Sequence, residues 1–286
     1  MISRKAIAAL KYAMPHGLVQ QVFRSQAARR RLTDAYNAAD TSVMEKQAPY
    51  SYSGAVEFHC ARGLQRDHVI NGSMPESTLA YCSRSLDELI PVTHNKPIVG
   101  LHVGNFLGVS LSHFVNYVRQ RNERSVVVSI DPNIQHRGVE HPQKHVIAIL
   151  NHFGLQKNAT VCVGYSMNKT LSNDGVAFVD DSGIEYDPYS KFESEQSCEG
   201  VLSNLCVVSG GRFDFAVVDG NHEGSYLRRE TALLQPLLRP DGILILDDVS
   251  DAWSEIKAEY EELRSNDGWR AVGADGRVGI LQRGTA

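Results

Sequence analysis

The octapeptide Gly242-Ile-Leu-Ile-Leu-Asp-Asp-Val249 (GILILDDV) decides the fold. Its four consecutive apolar residues read as a buried strand, yet the run stops on two adjacent carboxylates, Asp247 and Asp248. Neighbouring side chains on a strand point to opposite faces, so one of the pair must head inward or into a cleft. A carboxylate so placed requires a cation, a hydrogen-bond cage or exposure at the strand end.

Working outward, the same kind of apolar run recurs between helical patterns. PIVGLHVG, SVVVSID, ATVCVGYS and FDFAVVDG read as strands. VSLSHFVNYVRQRN, HPQKHVIAILNHFG, CEGVLSNLCVVSG and YLRRETALLQPLL read as the helices between them. After GILILDDV come a charged helix, AWSEIKAEYEELRS, and a hairpin, WRAVGADGRVGILQR, turning at Asp275-Gly276. Strands apolar throughout and separated by helices predict a parallel sheet covered on both faces. The expected fold is therefore α/β: a Rossmann-like, doubly wound, mostly parallel seven-stranded sheet with an antiparallel C-terminal hairpin and an N-terminal helical extension. In such sheets ligands sit outside the carboxyl ends of the strands.

That rule gives the paired acids a context. Asp131 ends SVVVSID, Asp219 ends FAVVD, and Asp247 and Asp248 end GILILDD. A single aspartate at such a place usually forms a turn or a helix cap. Four at the same end of one sheet point to a common site.

Bulk properties narrow the class. The 286 residues are 42% hydrophobic and 22% charged, an ordinary globular balance, and the formal net charge of −4 argues against bulk nucleic-acid binding. No apolar run approaches the roughly 18 residues needed to span a bilayer, and the N-terminus lacks a signal-peptide cleavage pattern. The five cysteines are scattered, with no CxxC pair, which fits reduced thiols in a cytoplasm. Residues 1–72 form an extension to a domain spanning 73–286. The first 35 residues read as basic and largely helical, broken near Pro15 and Gly17. A solvated helix or homo-oligomer arm accounts for them; peripheral contact with an anionic membrane is the alternative. Residues 36–72 read as loop with short elements, and a helix begins near Pro75 with Ser73 as its cap. Residues 167–195 interrupt an expected short link; VAFVDDSGIEYDPY within them is a candidate hairpin, and the segment a candidate lid or dimer contact.

The first strand runs into HVGNFLGVSL. Gly104 and Gly108 bracket a turn into a helix, with Ser110 in its first turn, where backbone N–H groups can face a ligand. The spacing departs from GxGxxG. Asp131, ending the next strand, can accept hydrogen bonds from ribose hydroxyls.

VGLHVGNFLGVSL, SIDPN and FDFAVVDGNHEGSYLRRETALLQPLLRPDGILILDD, with the final helix and hairpin, resemble class I S-adenosylmethionine-dependent methyltransferases. Within that class they are most similar to the metal-dependent O-methyltransferases of the catechol and macrolide-sugar type. The resemblance implies an S-adenosylmethionine site formed by Gly104, Asn105, Gly108, Ser110 and Asp131, with Tyr165 and Ser166 flanking the adenine. His102 stands where that family usually has an acid. Met74 falls where relatives close over the cofactor. The resemblance further implies a divalent cation, Mg²⁺, on Asp219, Asp247 and Asp248. All-oxygen ligation suits that ion. A metal holding two vicinal oxygens lowers a hydroxyl's pKa, and His222, three residues after Asp219, would serve as base. Asn221 reads as a turn residue. The implied activity is methyl transfer to a hydroxyl of a sugar, glycan or other small acceptor. A metal-independent methyltransferase, a non-catalytic S-adenosylmethionine-binding protein and an iron-type hydroxylase are the competing readings; the last lacks a two-histidine, one-carboxylate set around Asp219.

Overall fold

The computed structural model describes residues 47–91, 96–167, 178–179, 185–186, 200–202, 205 and 213–284. The chain divides into two compact units, Met1–Gln47 and Ala48–Ala286. The helical reading of residues 1–35 lies outside the described residues.

Within the second unit the elements run α1 (Tyr52–Ala61), α2 (Arg66–Asn71), α3 (Glu76–Leu89), β1 (Val99–Val103), α4 (Val109–Arg121), β2 (Val126–Asp131), α5 (Gln143–His152) and β3 (Ala159–Val163). A short pair, β4 (Phe178–Val179) and β5 (Glu185–Tyr186), precedes β6 (Phe213–Val218), α6 (Gly224–Leu237), β7 (Leu238–Leu246), α7 (Ser254–Arg264), β8 (Trp269–Ala274) and β9 (Gly279–Arg283). The seven-stranded sheet has the order β3-β2-β1-β6-β7-β9-β8. The first five strands are parallel and β9 and β8 antiparallel, as the alternating pattern and the closing hairpin predict.

GILILDDV shows why the sheet is covered twice. Ile243 and Ile245 belong to one core with Val127, Phe215 and Val217 beneath α1, α3, α4 and α5. Leu244 and Leu246 belong to the other, with Leu101, Val103 and Ala216 beneath α6 and α7. Burying each such side chain stabilises the fold by about 2 kcal/mol. A period of two with no polar member can only be satisfied between two helical layers.

Three expected features take the following form. Residues 36–72 are expected as loop with short elements, and among the described residues those elements are α1 and α2: Ser51 caps α1 by accepting a 3.1 Å hydrogen bond from the Gly54 N–H, and Ala55, Val56 and Val69 are fully or almost fully buried in the first core. The second compact unit begins at Ala48. The stripe was illegible because α1 buries only Ala55, Val56 and His59, and α2 only Val69. Ser73 does not cap α3, whose N-cap is Pro75; its hydroxyl donates to Val69 O at 2.8 Å, closing α2. The hairpin expected within 167–195 does appear as an antiparallel pairing of Phe178 with Tyr186 and Val179 with Glu185, while its turn residues lie outside the described residues. Among the described residues Cys60, Cys82 and Cys162 are free thiols, and no helix is long and apolar enough to cross a membrane.

Candidate active site

Parallel register aligns the strand ends. Val103, Val218 and Leu246 are neighbours across β1, β6 and β7, and Val103 pairs with Ile130 of β2. The next residue of each strand therefore falls on one rim, giving the row Asp131, Gly104, Asp219, Asp247. Hydrogen bonds hold the row: Gly104 N–H to Ile130 O at 2.9 Å, Asp219 N–H to Val103 O at 2.8 Å and Asp247 N–H to Val218 O at 2.9 Å.

Gly104 is glycine for two reasons. Its φ is +77°, and a Cβ there would collide with the carbonyl of Asp219. Gly108, at φ +82°, starts α4 and lies against Val146 of α5. Asp131 fixes the turn between them. Its carboxylate accepts from the N–H groups of Asn105 (3.0 Å), Phe106 (3.2 Å) and Asn133 (2.8 Å). Burial raises the Asp131 pKa, and these three donors work against the rise. Asn105 is buried and donates to Ser129, leaving its side-chain oxygen buried without a partner. That unanswered acceptor and the open backbone of the turn fit an ammonium-bearing, nucleoside-containing cofactor.

The other residues expected at the cofactor have the following surroundings. His102 faces the first core beside Phe114, fully buried. Burial lowers its pKa to about 4, against the backbone of Gly104, so the ring is neutral. The Ser110 hydroxyl accepts the Met74 N–H at 3.0 Å, tying the entrance of α3 to α4, and Met74 is fully buried. Tyr165 and Ser166 follow β3. Their carbonyls accept the N–H groups of Val201 and Leu202, and the Ser166 hydroxyl meets Tyr226 OH of α6 at 3.1 Å. Ser166 also abuts Glu230, a fully buried carboxyl.

The acidic end of the row is the most charged part of the site. Asp219, His222 and Asp248 are half-buried and each offers a ligand atom within 4.8 Å of the others. His222 Nε2 lies 2.7 Å from Asp248 Oδ2, and its ring stacks on Trp253 with centroids 4.3 Å apart. Asn221 makes the turn, its side chain accepting from Glu223 N–H at 2.9 Å. Asp248 has φ +58°, which swings its side chain off the strand alternation. Asp247 stays on that alternation and is buried; both its oxygens are taken by Arg277, Nε to Oδ1 at 2.9 Å and Nη2 to Oδ2 at 2.8 Å. Arg277 Nη2 also lies 3.5 Å from Asp248 Oδ1. Of the three acids expected to share one ion, the geometry groups Asp219 and Asp248 with His222 and gives Asp247 to Arg277.

Burial first, then the charges of Asp247 and Asp248, push the Asp219 pKa well above its ordinary value. Burial also raises Asp247, against the pull of Arg277. Burial alone would raise Asp248, but His222, Arg277 and Arg137 hold it below its ordinary value. Three carboxylates outnumber the two guanidiniums, Arg277 and Arg137, that act on them, and a hard divalent cation on oxygen ligands would offset the excess negative charge. Sequence reasoning missed Arg277 and Trp253. Only the former had a signal: it follows the Asp275-Gly276 turn, and extending the β7–β9 register beyond Leu246 and Gly279 brings it beside the paired aspartates.

Comparison with known proteins agrees with this architecture. Residues 101–249, just over half of the chain, match a family model described as a methyltransferase domain. No curated protein matches the chain. Among solved structures, the O-methyltransferase from Bacillus cereus in complex with SAH is 14% identical, covers 86% of this chain and 96% of its own, and has a TM-score of 0.50. TomG from Streptomyces achromogenes, an O-methyltransferase involved in tomaymycin synthesis solved with SAM, is 13% identical over 88% of this chain and 96% of its own, with a TM-score of 0.51. The SAH-bound methyltransferase PaMTH1 from Podospora anserina is 12% identical over 88% and 96%, with a TM-score of 0.51. At such identities the likeness is one of fold, and it agrees with the family match: the chain belongs to the methyltransferase-domain family and has the class I, S-adenosylmethionine-dependent methyltransferase fold.

Proposed function

We propose that this protein is an S-adenosylmethionine-dependent O-methyltransferase, assisted by a divalent cation such as Mg²⁺, that acts on a hydroxyl of a sugar or other small hydroxylated acceptor. The observation that carries the reading is the meeting of Asp219, His222 and Asp248 within 4.8 Å, on the same rim as the Gly104 turn.

The bound cofactor would supply an electrophilic methyl group on a sulfonium. Asp131 holds the turn that would receive it and keeps lone-pair capacity for a ribose hydroxyl; the free Asn105 oxygen would accept from its ammonium. A cation on Asp219 and Asp248 would lower the pKa of an acceptor hydroxyl. His222 is the base that takes the hydroxyl proton. Asp248, 2.7 Å away, orients its ring and stabilises the imidazolium, and Trp253 covers one face. The sugar preference rests on the family resemblance and on the basic N-terminal segment.

The Arg277–Asp247 pair favours a second reading, in which a guanidinium meets the charge demand and His222 with Asp248 acts without an ion. Calorimetry with S-adenosylmethionine, followed by turnover on a panel of hydroxylated acceptors with Mg²⁺ or with chelator, separates the two. Loss of turnover on chelation supports the cation; unchanged turnover selects the metal-independent reading. Absence of cofactor binding would overturn both.

A further inference from the structure

We propose that Arg277 is a positioning residue that sorts the two adjacent aspartates, withholding Asp247 from the cation and presenting Asp248 to it. The inference rests on the reading that this rim holds a divalent ion, and it adds which carboxylates the ion can use.

Arg277 is fixed from three sides. Its N–H donates to Asp275 Oδ1 at 2.9 Å inside the hairpin turn, and its carbonyl accepts the Val249 N–H at 2.5 Å, clamping the turn to the residue after Asp248. Its guanidinium then meets Asp247 as a two-pronged fork. The Asp247 side chain is completely shielded from solvent, so both oxygens are spent on a partner that never loses its charge. The burial and the bidentate geometry make this a rigid pair rather than a passing surface contact.

The left-handed backbone at Asp248 completes the division. Without it, residues 247 and 248 would point to opposite faces of β7. With it, Asp248 turns toward the β6 loop and meets His222, within ligand distance of Asp219. Arg277 thus does two things by one contact. It removes one carboxylate from the ion's reach, and it lowers the net negative charge of the cluster, which moderates cation affinity.

The test uses Mn²⁺ as probe, with its binding to the full chain followed by electron paramagnetic resonance and calorimetry. Arg277→Gln removes a positive charge and frees Asp247, so Mn²⁺ should bind at least about tenfold tighter, while kcat falls. A residue that merely stabilised the hairpin would weaken binding or leave it alone. Unchanged or weaker affinity therefore overturns the proposal. The double substitution Asp247→Asn with Arg277→Gln keeps the net charge and replaces the pair by amides of similar shape. Its affinity should stay within about threefold of the wild type; a loss beyond about tenfold would mean that Asp247 is a ligand and would equally overturn it. Wild-type protein that binds no Mn²⁺ sinks the cation reading itself, whereas wild-type binding with an unresponsive Arg277→Gln sinks only the sorting role.

Discussion

A Cβ on Gly104 would occupy the space of the Asp219 carbonyl oxygen, so the turn that begins the cofactor site and the first acid of the charged cluster are packed backbone to backbone. Gly104→Ala therefore strains two functions at once. A positive φ and a backbone clash together should cost about 2–4 kcal/mol, seen as a lower urea midpoint, with S-adenosylmethionine affinity falling as well. A variant of wild-type stability would mean that the close approach is not real.

Asp131 and Asp248 stand on the same rim but should fail differently. Asp131→Ala leaves three backbone N–H groups without their acceptor, so calorimetry should show cofactor affinity down by about tenfold or more. Asp248→Ala should abolish turnover yet keep cofactor affinity within about threefold. Equal losses of cofactor affinity in both variants would break the division of labour along the row.

His222→Ala should lower kcat by at least about a hundredfold, the usual minimum for losing a general base, with cofactor affinity unchanged. Each tenfold step corresponds to about 1.4 kcal/mol of barrier. Wild-type kcat in this variant would remove His222 from the chemistry.

Ser110 offers a test of the tertiary placement. Its hydroxyl is engaged with the buried Met74 N–H, so Ser110→Ala should destabilise the fold by about 1–3 kcal/mol. Its S-adenosylmethionine affinity should change little. A large affinity loss without a stability loss would place Ser110 at the cofactor.

Glu230 predicts a pH dependence away from the charged rim. It is fully buried, and burial, against the nearby Ser166 hydroxyl, raises its pKa from 4.5 to about 7. The folded state thus holds a proton that the unfolded chain releases near pH 4.5. Its contribution is complete below that pH and is lost as pH rises through about 7, a loss of up to about 3 kcal/mol. Urea unfolding of Glu230→Gln should show a shallower fall in stability between pH 5 and pH 8 than the wild type, the roughly 1.4 kcal/mol per unit expected of one proton being removed. Parallel pH profiles would contradict this.

The sheet was legible in the sequence because a strand buried on both faces leaves an unbroken apolar run, and GILIL, FAVV and VVVSI are such runs. Their terminal aspartates were legible for the same reason: parallel strands end on one rim, so Asp131, Asp219 and the 247–248 pair had to fall in a row. Helices α1 and α2 were not legible, since so few of their positions are buried that no periodic stripe forms. By itself the sequence determined the order of strands and helices and the residue types that arrive at the rim. Which acid faces which partner was decided only by tertiary structure. The Asp247–Arg277 grip joins residues 30 apart through the register of a hairpin, and the separation of Asp248 from Asp247 depends on one left-handed backbone angle. Local periodicity encodes which side of an element is buried; pairing across a fold depends on distances that only packing sets.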